Sequence, residues 1–241
     1  MISEKRNEMA ETETVFMNWS GGKDSSLALY ELQKRGAKVS TLLTTISMPQ
    51  KRITMHGVGE ELLAKQAEAI GLPLQKVYLD AADMESYNRV MREAMDKRIE
   101  AGDRKAVFGD IFLEDLRKYR EEQIRKAGLE ADFPLWHRDT AELAREFVDV
   151  GFKSICVCID LSVLDASFCG REMDASFFAD LPKEVDPCGE NGEFHSFVYD
   201  GPIFNKPVEV EKGKQIEKSY PDPTNEGQEK RFLFCDLITK K

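Results

Sequence analysis

The first half of the chain alternates short apolar runs with stretches of helical period. The apolar runs have the length of buried strands and cover residues 15–19, 39–46, 74–79 and 106–111. The helical stretches between and after them cover residues 27–32, 60–70, 84–101 and 114–127. Strands that alternate with helices predict a parallel sheet with helices on both faces, so the expected fold class is α/β.

The pattern changes beyond Gly128. Helices are predicted over residues 139–150 and 174–181, and strands over residues 154–159, 208–211 and 232–234. Residues 220–228 contain prolines and a glycine, which predicts an exposed loop. We therefore expect a polar tail over residues 1–12, a first domain over 13–129 and a smaller C-terminal α+β domain over 130–241.

Composition narrows the class of protein. Hydrophobic residues make up 41% of the chain and charged residues 32%, and no apolar run approaches the ~20 residues of a membrane span. The five cysteines are odd in number and lack C-x-x-C spacing, which favours a reduced, cytoplasmic location over a zinc site or disulfides. A net charge of −10 counts against a broad nucleic-acid surface. A homo-oligomer is compatible with this composition.

A glycine turn separates the first apolar run from the first helix, with the sequence Ser20-Gly21-Gly22-Lys23-Asp24-Ser25-Ser26. A strand, a glycine turn and a helix in this order direct backbone N–H groups at an anion. The glycines let the backbone approach phosphate oxygens, the serines add hydroxyl donors and Lys23 adds a cation. Asp24 would repel phosphates unless it helps to hold a divalent cation, so it is a candidate metal ligand.

Other polar residues follow the predicted strands at the same edge of the sheet. Ligands of open α/β sheets bind at the carboxyl ends of the strands. Thr44 lies near the end of the second strand, and Gly109 and Asp110 lie at the end of the fourth. We expect these residues to meet the glycine turn, with Asp110 as a second metal or phosphate ligand.

A second dense group of polar residues lies in the C-terminal half. It reads Asp186-Pro187-Cys188-Gly189-Glu190-Asn191-Gly192-Glu193-Phe194-His195-Ser196. Its glycines allow an irregular backbone on which carboxylates and an imidazole can converge. A surface turn is the alternative interpretation of the same composition.

Taken together, the motifs resemble the diphthine–ammonia ligase family of PP-loop ATP pyrophosphatases. The matching segments are residues 20–25, 55–57, 109–111 with 117–121, 134–136, 186–195 and 200–204. The resemblance implies an N-terminal ATP-binding PP-loop domain and a C-terminal domain that contributes the acceptor site. It also implies that ATP adenylates a carboxylate of a modified histidine on elongation factor 2, with release of pyrophosphate, and that ammonia then displaces AMP.

The resemblance assigns roles to the candidate residues. ATP and Mg²⁺ are the expected ligands. Nucleotide contacts are expected from Ser20, Gly21, Gly22, Lys23, Asp24, Ser25, Ser26, Thr44, His56, Gly109 and Asp110. Mg²⁺ is expected at Asp24 and Asp110. Asp24, Glu190, Glu193 and His195 are the catalytic candidates, the last three for positioning the acceptor and amine and for removing a proton.

The alternatives concern the acceptor and the turnover. Diphthamide-forming members tend toward Gly-Glu-x-Gly-Glu-Tyr-Glu-Thr, whereas this chain has Phe194, His195 and Ser196 at the last three positions. A PP-loop enzyme with another small-molecule or tRNA acceptor, or an ATP sensor without turnover, therefore stays open. Of the remaining residues, Arg117 and Arg120 are interpreted as ion pairs on a solvated helix face.

Overall fold

The computed structural model describes residues 13–48, 51–53, 56–79, 84–222 and 227–240, and the predicted tail lies outside them. The strands are β1 (Thr14–Asn18), β2 (Lys38–Ser47), β3 (Arg52–Ile53), β4 (Leu74–Leu79), β5 (Lys105–Val107), β6 (Glu130–Asp132), β7 (Lys153–Asp160), β8 (Phe194–Asp200), β9 (Val210–Pro221) and β10 (Glu229–Thr239). The α-helices are α1 (Lys23–Lys34), α2 (Glu60–Ile70), α3 (Met84–Glu100), α4 (Glu114–Ala127), α5 (Thr140–Asp149) and α6 (Ala175–Asp180).

The first sheet is mainly parallel, as the alternation of strands and helices predicts. Its parallel strands lie in the order β4-β2-β1-β5-β6, and the short β3 pairs antiparallel with the far end of β2. Both faces of the sheet are buried. Val15 and Met17 share a core with residues of α1 and α2, whereas Phe16 shares another with residues of α3 and α4.

The second sheet is antiparallel and smaller, with the order β8-β7-β10-β9. Its inner face is not a separate core. Ile155 and Phe197 of this sheet are buried in the same cluster as Leu29 of α1. The two sheets therefore bury apolar surface together on the α1 side of the parallel sheet, which brings β8 beside the glycine turn before α1.

Several elements have the predicted bounds. The helices over residues 60–70 and 114–127 and the strand over 74–79 are confirmed residue for residue. Both helices end at a glycine in the left-handed conformation, with φ of 85° at Gly71 and at Gly128.

Other predicted bounds were wrong for physical reasons. The strand predicted over residues 106–111 ends at Val107. Beyond it the chain stops pairing with its neighbouring strands, because Gly109 packs on the backbone of the glycine turn. β3 and β6 are too short to show a period and were not predicted. Tyr220 and Pro221 belong to β9 rather than to a loop, and residues 223–226 lie outside the described part.

The division of the chain near residue 130 stays a prediction. Residues 130–132 form β6, which pairs with β5 in the first sheet. Among the described residues, no helix combines the length and the apolarity that a membrane span requires.

Candidate active site

A cavity of about 720 Å³ lies at the carboxyl ends of β1, β2 and β5 and is closed on one side by β8 and the loop before it. Nine of the predicted site residues line it: Ser20, Asp24, Ser25, Thr44, His56, Gly109, Asp110, Glu190 and His195. The remaining predicted residues do not line it: Gly21, Gly22, Lys23, Ser26 and Glu193. The two motifs of the sequence thus face one space.

The glycine turn over residues 20–26 is braced by hydroxyl groups and close backbone contacts. Ser20 Oγ lies 3.1 Å from Ser25 Oγ and accepts from the Gly22 N–H at 3.2 Å. A Cβ on Gly22 would lie 2.9 Å from His56 Cε1 and 3.1 Å from the Ser196 carbonyl oxygen. Glycine is therefore favoured here, because any Cβ would press on the His56 ring and on β8.

Gln66 ties the same turn to the second sheet. This fully buried α2 side chain donates from Nε2 to the carbonyls of Gly21, at 2.9 Å, and Val198, at 2.6 Å. Its Oε1 accepts from Trp19 Nε1 at 2.8 Å. The β8 residue Ser196 also accepts from the Lys23 N–H at 2.9 Å through Oγ. Residues of α2 and β8, two elements outside the turn, therefore fix its shape.

Lys23 faces inward instead of into the cavity. Its side chain is 2% exposed, and Nζ is bonded to the Asp24 carboxylate. Burial is the largest single effect on the pKa of Lys23 and would lower it, but the charges and hydrogen bonds of Asp24 and Cys188 together outweigh burial, so the net effect raises the pKa. Lys23 therefore does not reach the cavity itself. Its charge stabilises the carboxylate of Asp24, which lines the cavity and is 30% exposed.

Asp110 and Arg120 form a second ion pair at the cavity. Arg120 Nε lies 2.9 Å from Asp110 Oδ2, and its guanidinium lies 4.6 Å from the centre of the Phe108 ring. Burial and the Asp24 charge raise the pKa of Asp110, while Arg120 opposes that shift. The prediction of a solvated helix face was therefore wrong for Arg120. Arg117 makes the predicted ion pair with Glu121 at 2.7 Å, but its guanidinium also lies over the rings of Phe133 and Trp136, so this part of the helix is not simply solvated.

Thr44 presents a hydroxyl that lacks a partner within the described residues. The side chain is 2% exposed and borders the cavity, and Oγ1 has no hydrogen bond there. The same holds for the Ser26 hydroxyl, although Ser26 does not line the cavity. Buried polar groups are normally hydrogen-bonded, so Thr44 is suited to bind a ligand in this space.

The loop over residues 186–193 is held by its own carboxylates. Asp186 Oδ2 accepts from the N–H groups of Cys188, at 3.2 Å, and Glu190, at 2.9 Å. Glu193 Oε1 accepts from Asp186 N–H at 3.1 Å and from Asn191 Nδ2 at 2.9 Å. Glu193 is 8% exposed and turns away from the cavity, so its contacts are those of a residue that shapes the loop.

Glu190 is the carboxylate of this loop that reaches the cavity. Its Oε1 accepts from the Ile111 N–H at 2.7 Å, which ties the loop to the segment after β5. Burial, with smaller contributions from the charges of Asp24 and Asp110, raises the pKa of Glu190 to about 7. A carboxyl group with this pKa can accept and release a proton near neutral pH.

His56 and His195 form a pair of rings with centroids 4.6 Å apart. His56 Nδ1 lies 3.3 Å from the Ser196 carbonyl oxygen. Burial lowers the pKa of the His56 imidazole, and burial together with a smaller effect of the His56 ring lowers the pKa of His195 to about 3. Both rings are therefore neutral at pH 7 and act as hydrogen-bonding groups rather than as cations.

Comparison with known proteins identifies the family. The model of the diphthamide synthase N-terminal domain matches residues 13–131, and that of the diphthamide synthase C-terminal domain matches residues 139–224. The chain belongs to the diphthamide synthase family. The resemblance seen in the motifs is confirmed, and the parallel first sheet agrees with the PP-loop domain that it implies.

Relatives in this family are distant in sequence. The diphthine–ammonia ligase of Mus musculus is 24% identical over 226 residues, which cover 83% of this chain and 84% of that protein. The human diphthine–ammonia ligase is 22% identical over 221 residues, covering 82% of each. The diphthine–ammonia ligase of Schizosaccharomyces pombe is 24% identical over 223 residues. These residues cover 83% of this chain and 36% of that longer protein.

The donor set of this diphthamide synthase family member fits a magnesium ion that is shared with a substrate. Asp24 and Asp110 offer hard carboxylate oxygens to the same cavity. Within the described ranges, no group of three or more His, Cys, Asp or Glu side chains forms a metal cage. Mg²⁺ commonly binds through one or two carboxylates together with phosphate oxygens and water, so two carboxylates are sufficient.

Gln66, Arg120 and Ser196 are parts of the site that sequence reasoning missed. Gln66 lies on the apolar face of a predicted helix, where a buried amide signals a polar contact in the core. Arg120 lies in the matching segment 117–121, but it belongs to a helix of mixed charge and nothing in the sequence pairs it with Asp110. Ser196 was included in the second motif, but its bond to Lys23 N–H depends on the packing of the two sheets.

Proposed function

We propose that this protein is an ATP-dependent ligase that adenylates a carboxylate and transfers ammonia to it. The acceptor that we propose is the carboxylate of diphthine, the compound that appears in the names of the relatives. One observation carries the proposal: the cavity joins the glycine turn at Asp24 to Glu190 and His195 of the C-terminal motif. The phosphate-binding and acceptor-binding halves of such a reaction therefore meet in one space.

The reaction proceeds in two displacements. An acceptor carboxylate oxygen attacks the α-phosphorus of ATP, and pyrophosphate leaves. Ammonia then attacks the acyl carbon, AMP leaves with the former carboxylate oxygen, and the nitrogen loses a proton. Ser20 and Ser25, whose side chains belong to the part of the glycine turn that lines the cavity, bind phosphate oxygens through their hydroxyls, and Thr44 supplies a further hydroxyl.

Glu190 takes the proton from the attacking nitrogen. Support comes from its place in the cavity lining and from the Ile111 N–H bond, which orients the carboxylate. With a pKa of about 7, Glu190 is partly ionised at neutral pH. The neutral ring of His195 positions the amine through a hydrogen bond. Glu193 maintains the loop, in contrast to the catalytic role predicted from sequence.

Mg²⁺ is proposed as the metal, held by Asp24 and Asp110. When bound it supplies positive charge that offsets the charge of the phosphates. Lys23 and Arg120 stabilise the two carboxylates in its absence through the ion pairs described above. A cytoplasmic location is also proposed, and it is supported by the five cysteines, which are all buried and free.

Phosphorus NMR tests this function. The protein is incubated with ATP, Mg²⁺, ammonium and elongation factor 2 that carries diphthine. We expect AMP and pyrophosphate as products, and we expect them to form only when both the acceptor and ammonium are present. ADP and phosphate would contradict adenylation, and unchanged ATP would contradict diphthine as the acceptor. The Asp24→Asn variant serves as the control for contaminating ATPases.

A further inference from the structure

The segment that brings His56 into the cavity is bonded to the C-terminal strand of the second sheet. Arg52 Nη1 donates to the Gly57 carbonyl at 2.6 Å and to Asp236 Oδ1 at 2.8 Å. Arg52 lies on β3 and comes before His56 in the sequence, and Gly57 comes directly after His56. Asp236 lies on β10. One guanidinium nitrogen therefore joins both ends of the segment to a strand that is distant in sequence.

Phe234 restricts the same segment by packing. Gly57 has φ of +69°, and a Cβ there would lie 2.8 Å from Phe234 Cδ1. The Ile53 N–H donates to the Val58 carbonyl at 2.9 Å and the Gly57 N–H to the Ile53 carbonyl at 3.1 Å, which close the turn. The described residues on either side of positions 54 and 55 are thus bonded to each other and packed against β10.

His56 is the side chain that this arrangement directs toward the glycine turn. Its Cε1 faces the Gly22 backbone, and its Nδ1 lies 3.3 Å from the Ser196 carbonyl oxygen. Displacement of the turn would withdraw the ring from both contacts. Asp236 lies beyond residues 139–224, the range of the C-terminal family model, so the motifs did not indicate its contribution.

We propose that Arg52, Phe234 and Asp236 form a clasp that positions His56 against the ATP-binding turn. The three act as positioning residues, since only the ring that they hold reaches the cavity. The Arg52–Asp236 bond is charge-assisted and both side chains are about a quarter to a third exposed, at 32% and 26%. The importance of the clasp for ATP rests on the proposed function, but the placement of His56 does not.

NMR of the histidine rings tests the placement directly. The protein has three histidines, so single His→Gln variants assign each ring resonance. Asp236→Asn removes the charge while preserving shape. The matched control is Glu217→Gln, because Glu217 pairs with Arg231 at 3.2 Å on the solvent side of the same β9–β10 hairpin. Thermal unfolding verifies that each variant folds, and Asp236→Ser replaces any Asp236→Asn protein that does not.

The clasp predicts shifted His56 resonances in Asp236→Asn and a His56 pKa that rises toward its ordinary value as water enters. The ring resonances of His137 should stay unchanged in Asp236→Asn. In Glu217→Gln the ring resonances of all three histidines should stay unchanged. Arg52→Gln shifts the His56 resonances at least as far as Asp236→Asn, because it also removes the bond to the Gly57 carbonyl, and Arg52→Lys shifts them less than Arg52→Gln. Unmoved His56 resonances in folded Asp236→Asn, or in folded Arg52→Gln, would overturn the clasp.

ATP binding measured by calorimetry separates the clasp from the proposed function. We expect the Kd of ATP to rise about fivefold in Asp236→Asn and not in Glu217→Gln. If His56 moves while ATP affinity stays the same, the clasp as a support of the ATP site is overturned. If wild-type protein forms no AMP but both His56 and ATP affinity respond, the ligase assignment fails and the clasp stands.

Discussion

The two loops that face the cavity differ in where most of their stabilising contacts come from. The glycine turn over residues 20–26 has hydroxyl bonds of its own but is otherwise held from outside, by Gln66 on α2, by β8 and by the His56 ring. The loop over residues 186–193 is held mainly from within, by the carboxylates of Asp186 and Glu193, and Glu190 adds a bond to the Ile111 N–H. Substitutions distant in sequence should therefore disturb the first loop, whereas the second responds mainly to changes in its own residues.

Each loop nevertheless sends one carboxylate into the cavity, Asp24 from the first and Glu190 from the second. The other acidic residues of the second loop bond to backbone N–H groups. An acidic motif in a sequence therefore mixes residues that react with residues that shape the loop. Exchange of a carboxylate for its amide distinguishes the two kinds, because the amide keeps the size and loses the charge.

Loss of the Asp24 charge should have the largest effect. Asp24→Asn removes the carboxylate that we assign to Mg²⁺ and the partner of Lys23, so kcat should fall at least about 100-fold. Steady-state formation of AMP measures the change. Asp96→Asn, an exposed carboxylate of α3 that pairs with Arg92, is the control and should retain full activity. Retained activity in Asp24→Asn would remove the metal role from this residue.

Glu190→Gln should reduce kcat about 100-fold and leave ATP affinity unchanged, because the proton acceptor is lost while the glycine turn is intact. In wild-type protein kcat should rise with pH through the Glu190 pKa of about 7, and this limb should be absent in the variant. Steady-state kinetics from about pH 5 to pH 9, about two units on either side of that pKa, measure both effects.

Glu190→Gln, which should lower kcat, should raise the stability of the folded chain above neutral pH. The folded chain keeps the Glu190 proton up to about pH 7, whereas an unfolded glutamate releases it near 4.5. The free energy of unfolding should therefore fall as pH rises across this interval, and Glu190→Gln should remove that fall. At pH 8 the variant should be more stable than wild type by on the order of 1 kcal/mol. A variant that is less stable at pH 8 would contradict the assigned environment.

Gln66→Leu tests the external bracing of the first loop. The substitution leaves the Trp19 ring N–H and the carbonyls of Gly21 and Val198 without this partner. We expect a loss of about 2–3 kcal/mol in the free energy of unfolding and about tenfold weaker ATP binding. Urea denaturation and calorimetry measure the two quantities. Gln75→Leu, which removes one amide bond to Ala94 far from the turn, should not affect ATP binding.

Glu193→Gln should have the smallest effect on catalysis. The amide oxygen can still accept from Asp186 N–H and Asn191, so the loop should keep its shape at a cost of about 1 kcal/mol. We expect kcat within about twofold of wild type, by the same AMP assay used for Glu190→Gln. A loss of activity comparable to that of Glu190→Gln would place the reacting carboxylate at Glu193 instead.

Sequence reasoning succeeded where the pattern was local. The parallel sheet and the ends of α2 and α4 follow from apolar periods and from glycine caps that act within a few residues. The early end of β5 could not be predicted, because it depends on the contact between Gly109 and the backbone of Asp24 across the sheet.

The candidate site divides in the same way. The glycine turn and the loop over residues 186–193 were identified as sites because their polar residues are contiguous in sequence. Which carboxylate reaches the cavity depends on tertiary packing. Glu190 and Glu193 differ by three positions and have the same chemistry, yet only Glu190 meets the Ile111 N–H. The role of Arg120 likewise depends on how α4 lies against Asp110.

Oxygen transfer from the acceptor tests the central claim most directly. Elongation factor 2 with ¹⁸O in the diphthine carboxylate is incubated with the protein, ATP, Mg²⁺ and ammonium, and the AMP is examined by mass spectrometry. Attack of the carboxylate on the α-phosphorus predicts that AMP gains one ¹⁸O atom for each amide formed. Unlabelled AMP, or label in phosphate beside ADP, would contradict an acyl-adenylate.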